Sequence, residues 1–253
     1  MTIYNFKQVN GKKIIEWNRG RRRGIEEASE RIGNYVKDIK HLISKKGKIK
    51  VLEVGAGYGR SLLELKKEFG DKIETHGINL ESRWNLDLVK KFGLYHKIFS
   101  KEEIEKNLPK IYILDAGKKL PFKSESFDFI YSVSSIQYIH DKALFLEEMN
   151  RILKKDGIAR LHDAFKKKEN YPVELMNLFD IWMNGKRVEV KDYILNIKKY
   201  KNIQFNKTKA NPMGYLLMKK VNNFKLDLKY IASFDLHGLG DDLWGTKVIY
   251  KVK

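Results

Sequence analysis

The sequence predicts an α/β protein: a doubly wound, mostly parallel sheet with helices on both faces and a late antiparallel strand pair. Three observations carry that expectation. A short apolar run, Val51 to Val54, leads into glycine at 55, 57 and 59 and then into a helically spaced segment, Ser61 to Phe69. As far as Asp163, further short apolar runs alternate with amphipathic stretches of roughly 10–15 residues, the rhythm of parallel strands joined by helical crossovers. Beyond Asp163 the rhythm loosens, and two segments of alternating character, Phe224–Phe234 and Lys247–Val252, have no helix pattern between them.

The elements follow in order. Ile25, Ala28, Ile32, Tyr35, Val36, Ile39, Leu42 and Ile43 recur at helical spacing and predict one helix over 25–44. Strands are expected at Lys50–Val54, Lys72–Ile78, Tyr112–Asp115, Phe127–Val133 and Gly157–His162. Helices are expected at Arg60–Phe69, Arg83–Phe92 (ending at Gly93) and Lys142–Leu153, with a helical stretch before the third strand. Val173–Met183, Val190–Tyr200 and Met213–Val221 also read as helical, and Gly238–Asp242 as the turn joining the last two strands. This divides the chain into a basic helical or lid segment, 1–45, a nucleotide-binding core, 46–164, and a helical insertion with the last two strands, 165–253.

Composition narrows the chemistry. There is no cysteine, so disulfides, thiolate zinc sites and cysteine nucleophiles are excluded. Six scattered histidines without close pairing argue against a metal centre. The N-terminal stretch lacks the apolar core of a signal peptide, and no run approaches the roughly 20 apolar residues that span a bilayer. A cytoplasmic protein is the expectation. The net charge of +19 is unevenly placed: residues 1–50 carry +9, residues 51–164 carry +1 and residues 165–253 carry +9. Basic flanks suit RNA, an acidic lipid surface or a phosphorylated substrate, and equally suit a lysine-rich composition with no partner.

The glycine turn selects its ligand by spacing. A dinucleotide site reads G-x-G-x-x-G and brings a pyrophosphate to the helix N-terminus. Here Arg60 stands in place of the third glycine, and an acid, Glu53, lies two residues before Gly55. A carboxylate repels a pyrophosphate but favours a ligand carrying an ammonium and a sulfonium. The run Glu53-x-Gly55-Ala56-Gly57-x-Gly59 resembles the S-adenosylmethionine loop of class I methyltransferases.

Further along, Asp115-Ala116-x-x-x-Leu120-Pro121-Phe122, then Ser126-Phe127-Asp128, then a helix ending Arg151-Ile152-Leu153-Lys154-Lys155-Asp156-Gly157, strengthens the likeness. Together with the loop, this order resembles the ubiquinone-biosynthesis-like (methyltransferase type 11) group, over about residues 47–164. The resemblance implies a Rossmann-like core with S-adenosyl-L-methionine as cofactor. It implies that Asp115 pairs with the adenine amino group, that the backbone N–H of Ala116 meets a ring nitrogen, and that the carbonyl of Ser132 receives the methionine ammonium. Asp128 has a structural role in such proteins. Relatives carry an acid for the ribose where this chain has Asn79, followed by Leu80; Glu81 is a candidate substitute. Gln137 completes the expected cofactor contacts.

Methyl transfer needs alignment and a dry pocket, and a base where the acceptor is a hydroxyl or ammonium. His140, His162 and Tyr138 are the candidates, set against plain capping or packing roles. Tyr4 and Trp17 are candidate lid residues, and Phe179, Trp182, Met183 and Tyr193 candidate pocket residues. The expected function is methylation of an O, N or C nucleophile on a small molecule. The alternatives are an RNA methyltransferase, with Arg19, Arg21, Arg22 and Arg23 as a phosphate-contacting arm, and a non-catalytic S-adenosylmethionine-binding protein.

Overall fold

The computed structural model describes residues 5–9, 12–16, 23–82, 84–136, 139, 141–162, 181–183, 186–188, 199–209, 214–226, 234–235 and 251–252. In chain order the elements are β1 (Asn5–Val9), β2 (Lys12–Glu16), α1 (Ile25–Ile32), α2 (Tyr35–Lys46), β3 (Ile49–Val54), α3 (Arg60–Phe69), β4 (Ile73–Asn79), α4 (Leu86–Tyr95), α5 (Lys101–Asn107) and β5 (Lys110–Ile113). They continue with β6 (Phe127–Val133), α6 (Lys142–Ile152), β7 (Leu153–His162), β8 (Ile181–Met183), β9 (Lys186–Val188), β10 (Ile203–Asn206), β11 (Tyr215–Lys219), β12 (Phe234–Asp235) and β13 (Lys251–Val252).

Seven strands form the main sheet, in the order β10-β11-β7-β6-β3-β4-β5. The run from β7 to β5 is parallel, while β11 lies antiparallel to β7 and β10 antiparallel to β11. Strand β3 is central, between β4 and β6, and the chain reverses direction across the sheet there. In open parallel sheets a ligand binds beyond the carboxyl ends of the strands, at such a switch point.

Alternate residues of the central strands serve opposite faces. Val51, Phe129 and Tyr131 pack with α1, α2 and α3 through Ile32, Tyr35, Ile39 and Leu62. Leu52, Val54 and Ile130 pack with α6 through Phe145, Leu146 and Met149. A third cluster joins α3 to α4 and α5 through Tyr58, Leu63, Phe92 and Ile104. The doubly wound sheet expected from the sequence is what forms.

Several details depart from expectation. The helix expected over 25–44 is two helices, because Gly33 takes φ +72° and Asn34 caps α2 through Lys37 N at 3.2 Å. The segment 1–45 also holds the antiparallel pair β1–β2, not helices alone. Of the helix expected at Met213–Val221, the described residues 214–221 are not helical. The apolar run is short, and Leu216–Lys219 pairs with Ile158–Leu161 of β7, where burial of Leu216 and Met218 outweighs local preference. The late antiparallel pair of the main sheet is therefore β10–β11, while Phe234–Asp235 and Lys251–Val252 pair separately. Residues 224–226 are irregular rather than the start of a strand. Ile181–Met183, expected to end a helix, is a strand paired with β9. Helix α4 begins at Leu86 rather than Arg83, capped by Asn85, and runs two residues past Gly93. The Gly238–Asp242 turn and most of the 173–200 helical stretches lie outside the described residues. Among the described residues, no helix is long and apolar enough to cross a membrane.

Candidate functional site

The carboxyl ends of β3, β4, β5, β6 and β7 converge on residues 53–59, 79–84, 113–117, 132–136 and 162. The turn after β3 needs left-handed backbone three times: φ is +77° at Gly55, +55° at Gly57 and +67° at Gly59. Gly55 is also sterically closed. A Cβ there would stand 2.0 Å from Ser135 Oγ, so the turn or Ser135 would have to shift. Gly55 N and Ala56 N both donate to the carbonyl of Ile78, at 2.8 and 3.1 Å, and so bind the turn to the end of β4. Tyr58 is fully buried, stacked on Phe92 and edge-on to Trp84.

Asn79 ends β4 and faces this turn, buried at 4% exposure. Its Oδ1 accepts from Gly57 N at 2.8 Å, and its Nδ2 donates to Gly57 O at 3.3 Å and Trp84 O at 2.8 Å. The amide orientation is fixed by its partners, since one N–H faces the oxygen and two carbonyls face the nitrogen.

Glu53 is buried on β3, beside Tyr131 of β6. Tyr131 Oη donates to Glu53 Oε2 at 3.0 Å; Ser61 Oγ lies 2.8 Å from both the Tyr131 and Tyr35 hydroxyls. This four-residue chain runs from α2 through α3 and β6 to β3. Burial pushes the Glu53 carboxyl up to about 8, against the Tyr131 hydrogen bond and the Arg23 charge, which lower it. The Tyr131 hydroxyl is raised as well, by its own burial and then by the charge of Glu53. Arg23, before α1, donates to Val133 O at 3.0 Å, across the end of β6.

At the β5 side, Asp115 Oδ1 accepts from Gly117 N at 2.8 Å and its Oδ2 faces Lys118 Nζ at 3.8 Å. Ala116 is buried behind it. Leu80, just past β4, and Ile113, the last residue of β5, carry large apolar side chains at 43% and 40% exposure. Ser132 pairs in register with Val54, and its hydroxyl is buried with no hydrogen-bond partner among the described residues. At the end of β7, His162 is buried, and its Nδ1 lies 3.1 Å from both Ser134 N and Ser134 Oγ. The Ser134 N–H makes that nitrogen an acceptor, so the ring proton of the neutral histidine sits on Nε2. His162 thus fixes Ser134, which holds φ +54°.

Glu53, Gly55, Ala56, Gly57, Asn79, Leu80, Asp115, Ala116 and Ser132 lie on adjoining strand ends or the turns that follow them. Gln137, Tyr138 and His140 fall outside the described residues, as do Tyr4, Trp17, Phe179 and Tyr193; Trp182 and Met183 lie on β8. Two features escaped sequence reasoning. Tyr131 and Ser61 read there only as a strand residue and a helix start, and Arg23 read as one of a basic arm. Position 60 gave a partial signal: Arg60 pairs with Glu64 at 2.6 Å and Glu27 at 3.2 Å, turned towards α1. Asp128 is structural, as expected. Fully buried at the start of β6, it accepts from Lys46 Nζ, Lys154 Nζ and Lys50 N at 2.8–2.9 Å.

Known proteins give this geometry a context. Residues 52–161 match a family model described as a methyltransferase domain. The chain is 30% identical over 110 residues to the sarcosine/dimethylglycine N-methyltransferase of Aphanothece halophytica, covering 43% of this chain and 35% of that protein. It is 29% identical over 114 residues to the norajmaline N-methyltransferase of Rauvolfia serpentina, covering 43% and 33%. A mitochondrial arginine-hydroxylase of Mus musculus is 28% identical over 133 residues, covering 53% and 32%. The chain thus spans about a third of the length of these curated relatives. Among solved structures, an S-adenosyl-L-methionine-dependent methyltransferase, so described, from Methanococcus maripaludis superposes with a TM-score of 0.50 at 16% identity, over 79% of this chain and 91% of that one. That likeness shows the fold.

Proposed function

We propose that the protein, whose residues 52–161 match a methyltransferase domain, uses S-adenosylmethionine to methylate an O, N or C nucleophile of a small molecule. The observation that carries this is the match of a methyltransferase domain across the strand ends that hold Glu53, the glycine turn and Asp115. When bound, S-adenosylmethionine supplies a methyl carbon activated by its sulfonium. The residues present suit it. Gly55 and Gly57 let backbone approach the ligand, and Glu53 offers an anion to a cationic amino-acid end. The Ser132 carbonyl accepts from the same ammonium. Leu80 and Ile113 form apolar walls for a flat base, with the free capacity of the Asp115 carboxylate for its amino group and Ala116 N–H for a ring nitrogen.

The chain's own part in the reaction is placement. The glycine turn fixes the cofactor's direction, and the apolar walls exclude water, so that a bound nucleophile faces the methyl carbon in line. In this reading 46–164 is the cofactor core, 165–253 builds the acceptor side and 1–45 covers it, with Gln137 beside the cofactor. Both N-methyltransferases named above act on small molecules by their names, which supports a small acceptor. Arg23, in contrast, is engaged at the end of β6 rather than held ready for a phosphate, which weighs against an RNA-binding arm that includes it.

Calorimetric titration with S-adenosylhomocysteine, then transfer of labelled methyl from S-adenosylmethionine to a panel of amines, hydroxyls and carbon acids and to RNA, tests the proposal. Saturable binding and one labelled product class are expected. Absence of binding overturns it; binding without transfer to any small acceptor points to the non-catalytic reading, and transfer only to RNA to the nucleic-acid one.

A further inference from the structure

We propose that Asn79 is a positioning residue that holds the glycine turn in its binding shape, and that it is not a ligand of the cofactor's ribose. This rests on the reading that the turn binds S-adenosylmethionine. Both hydrogens of the Asn79 amide are spent, on Gly57 O and Trp84 O, and its oxygen is engaged by Gly57 N. A primary amide has two donors and two acceptor sites, so at most one lone pair is left for a hydroxyl. The side chain is also buried. Gly57 is left-handed and cannot be held by a regular strand ladder, so its N–H and C=O need another partner, and Asn79 meets both.

The local chemistry chooses the amide over the acid. An aspartate at 79 would keep the bond from Gly57 N. It would turn its second oxygen, with no hydrogen and a negative charge, towards the carbonyls of Gly57 and Trp84. Two donor bonds become two repulsions in a buried place. A ribose ligand predicts the reverse, because a carboxylate accepts from two hydroxyls more strongly than an amide does. Asn79→Asp therefore separates the two roles by the sign of its effect.

The test measures S-adenosylhomocysteine and its 2′-deoxyribose analogue by calorimetry on wild type and Asn79→Asp, below the melting temperature of each. The expected result is a dissociation constant raised about tenfold or more in Asn79→Asp for both ligands, the scale of a lost buried hydrogen bond. The ratio between the two ligands stays as in wild type. Equal or tighter binding by Asn79→Asp, or a ribose preference that grows, overturns the proposal. Should the variant not fold, amide exchange of Gly57 in ligand-free wild type decides: protection before ligand is added supports the clamp, and protection that appears only with ligand overturns it. Failure of wild type itself to bind S-adenosylhomocysteine would sink the proposed function, while Gly57 protection would still report on the clamp.

Discussion

The Tyr131 hydroxyl donates to Glu53 Oε2 at 3.0 Å across two neighbouring strands in direct register, with both side chains buried. The pair puts an ionisable acid at the switch point of the sheet and holds it there through Ser61 and Tyr35. Burial and hydrogen bonding act on it in opposite senses, and burial prevails.

The pH dependence follows from that balance. The ligand's ammonium favours the Glu53 carboxylate, while the ligand-free site favours the protonated acid up to about pH 8. Binding of S-adenosylhomocysteine below pH 8 is expected to release about one proton and to tighten as pH rises to 8. Calorimetry in buffers of different ionisation enthalpy checks it, and zero proton release would count against Glu53 as the cation's partner. The sign for folding is the other way round. With a raised native value, the Glu53 contribution to stability is complete below its ordinary value of 4.5 and lost as pH rises through about 8. Glu53→Gln is expected to flatten the melting-temperature profile over that window and to weaken cofactor binding.

Gly55→Ala puts a Cβ 2.0 Å from Ser135 Oγ at φ +77°. The turn or Ser135 has to shift, and the expected loss of stability is about 1–3 kcal/mol. Cofactor affinity falls with it, read by titration with S-adenosylhomocysteine. An alanine variant with wild-type affinity would show that the turn is not the cofactor's seat. Gly57→Val is expected to abolish binding.

Asp115→Ala is expected to weaken S-adenosylhomocysteine by about 1–3 kcal/mol. The more specific readout is the base. Wild type should prefer the adenine ligand to its inosine analogue, which lacks the amino group, and the variant should lose that preference. An unchanged preference removes Asp115 from base recognition and leaves it to its local partners, Gly117 N and Lys118.

Asp128→Asn tests the opposite end of the sheet. Burial works to raise the Asp128 carboxyl, but Lys154, the Lys50 N–H and Lys46 together bring it below the usual range. Its contribution to stability is therefore present above its ordinary value of 3.8 and lost as pH falls through the lowered one. Removing the charge leaves Lys46 and Lys154 without their shared partner, and a loss of about 3 kcal/mol is expected at pH 7. Cofactor affinity should be unchanged, because Asp128 starts β6 and the site lies beyond its end; a large change in binding would place Asp128 in the site after all.

Much of the core was legible because its signals are local. The run from Val51 to Phe69 states strand, left-handed turn and helix in consecutive residues, and the alternation after it states parallel crossovers. The break at Gly33–Asn34 was written in the sequence as well, a glycine followed by a capping asparagine, but the apolar spacing ran through it unbroken. Tyr215–Lys219 was not legible. Its short apolar run fits a helix or a strand, and the free edge of β7 settled the matter.

The sequence by itself determined the class of sheet, the site of the glycine turn, the acid before it and the kind of ligand it suits. These depend on spacing and on which residues tolerate left-handed backbone. Only the tertiary structure decided what Asn79 does, that Glu53 is ionisable near neutral pH, and that Arg23 reaches the end of β6. Each depends on groups far apart in the chain, Gly57 with Asn79, Tyr131 with Glu53, Arg23 with Val133, and hydrogen bonding and burial at such separations exist only once the strands are side by side.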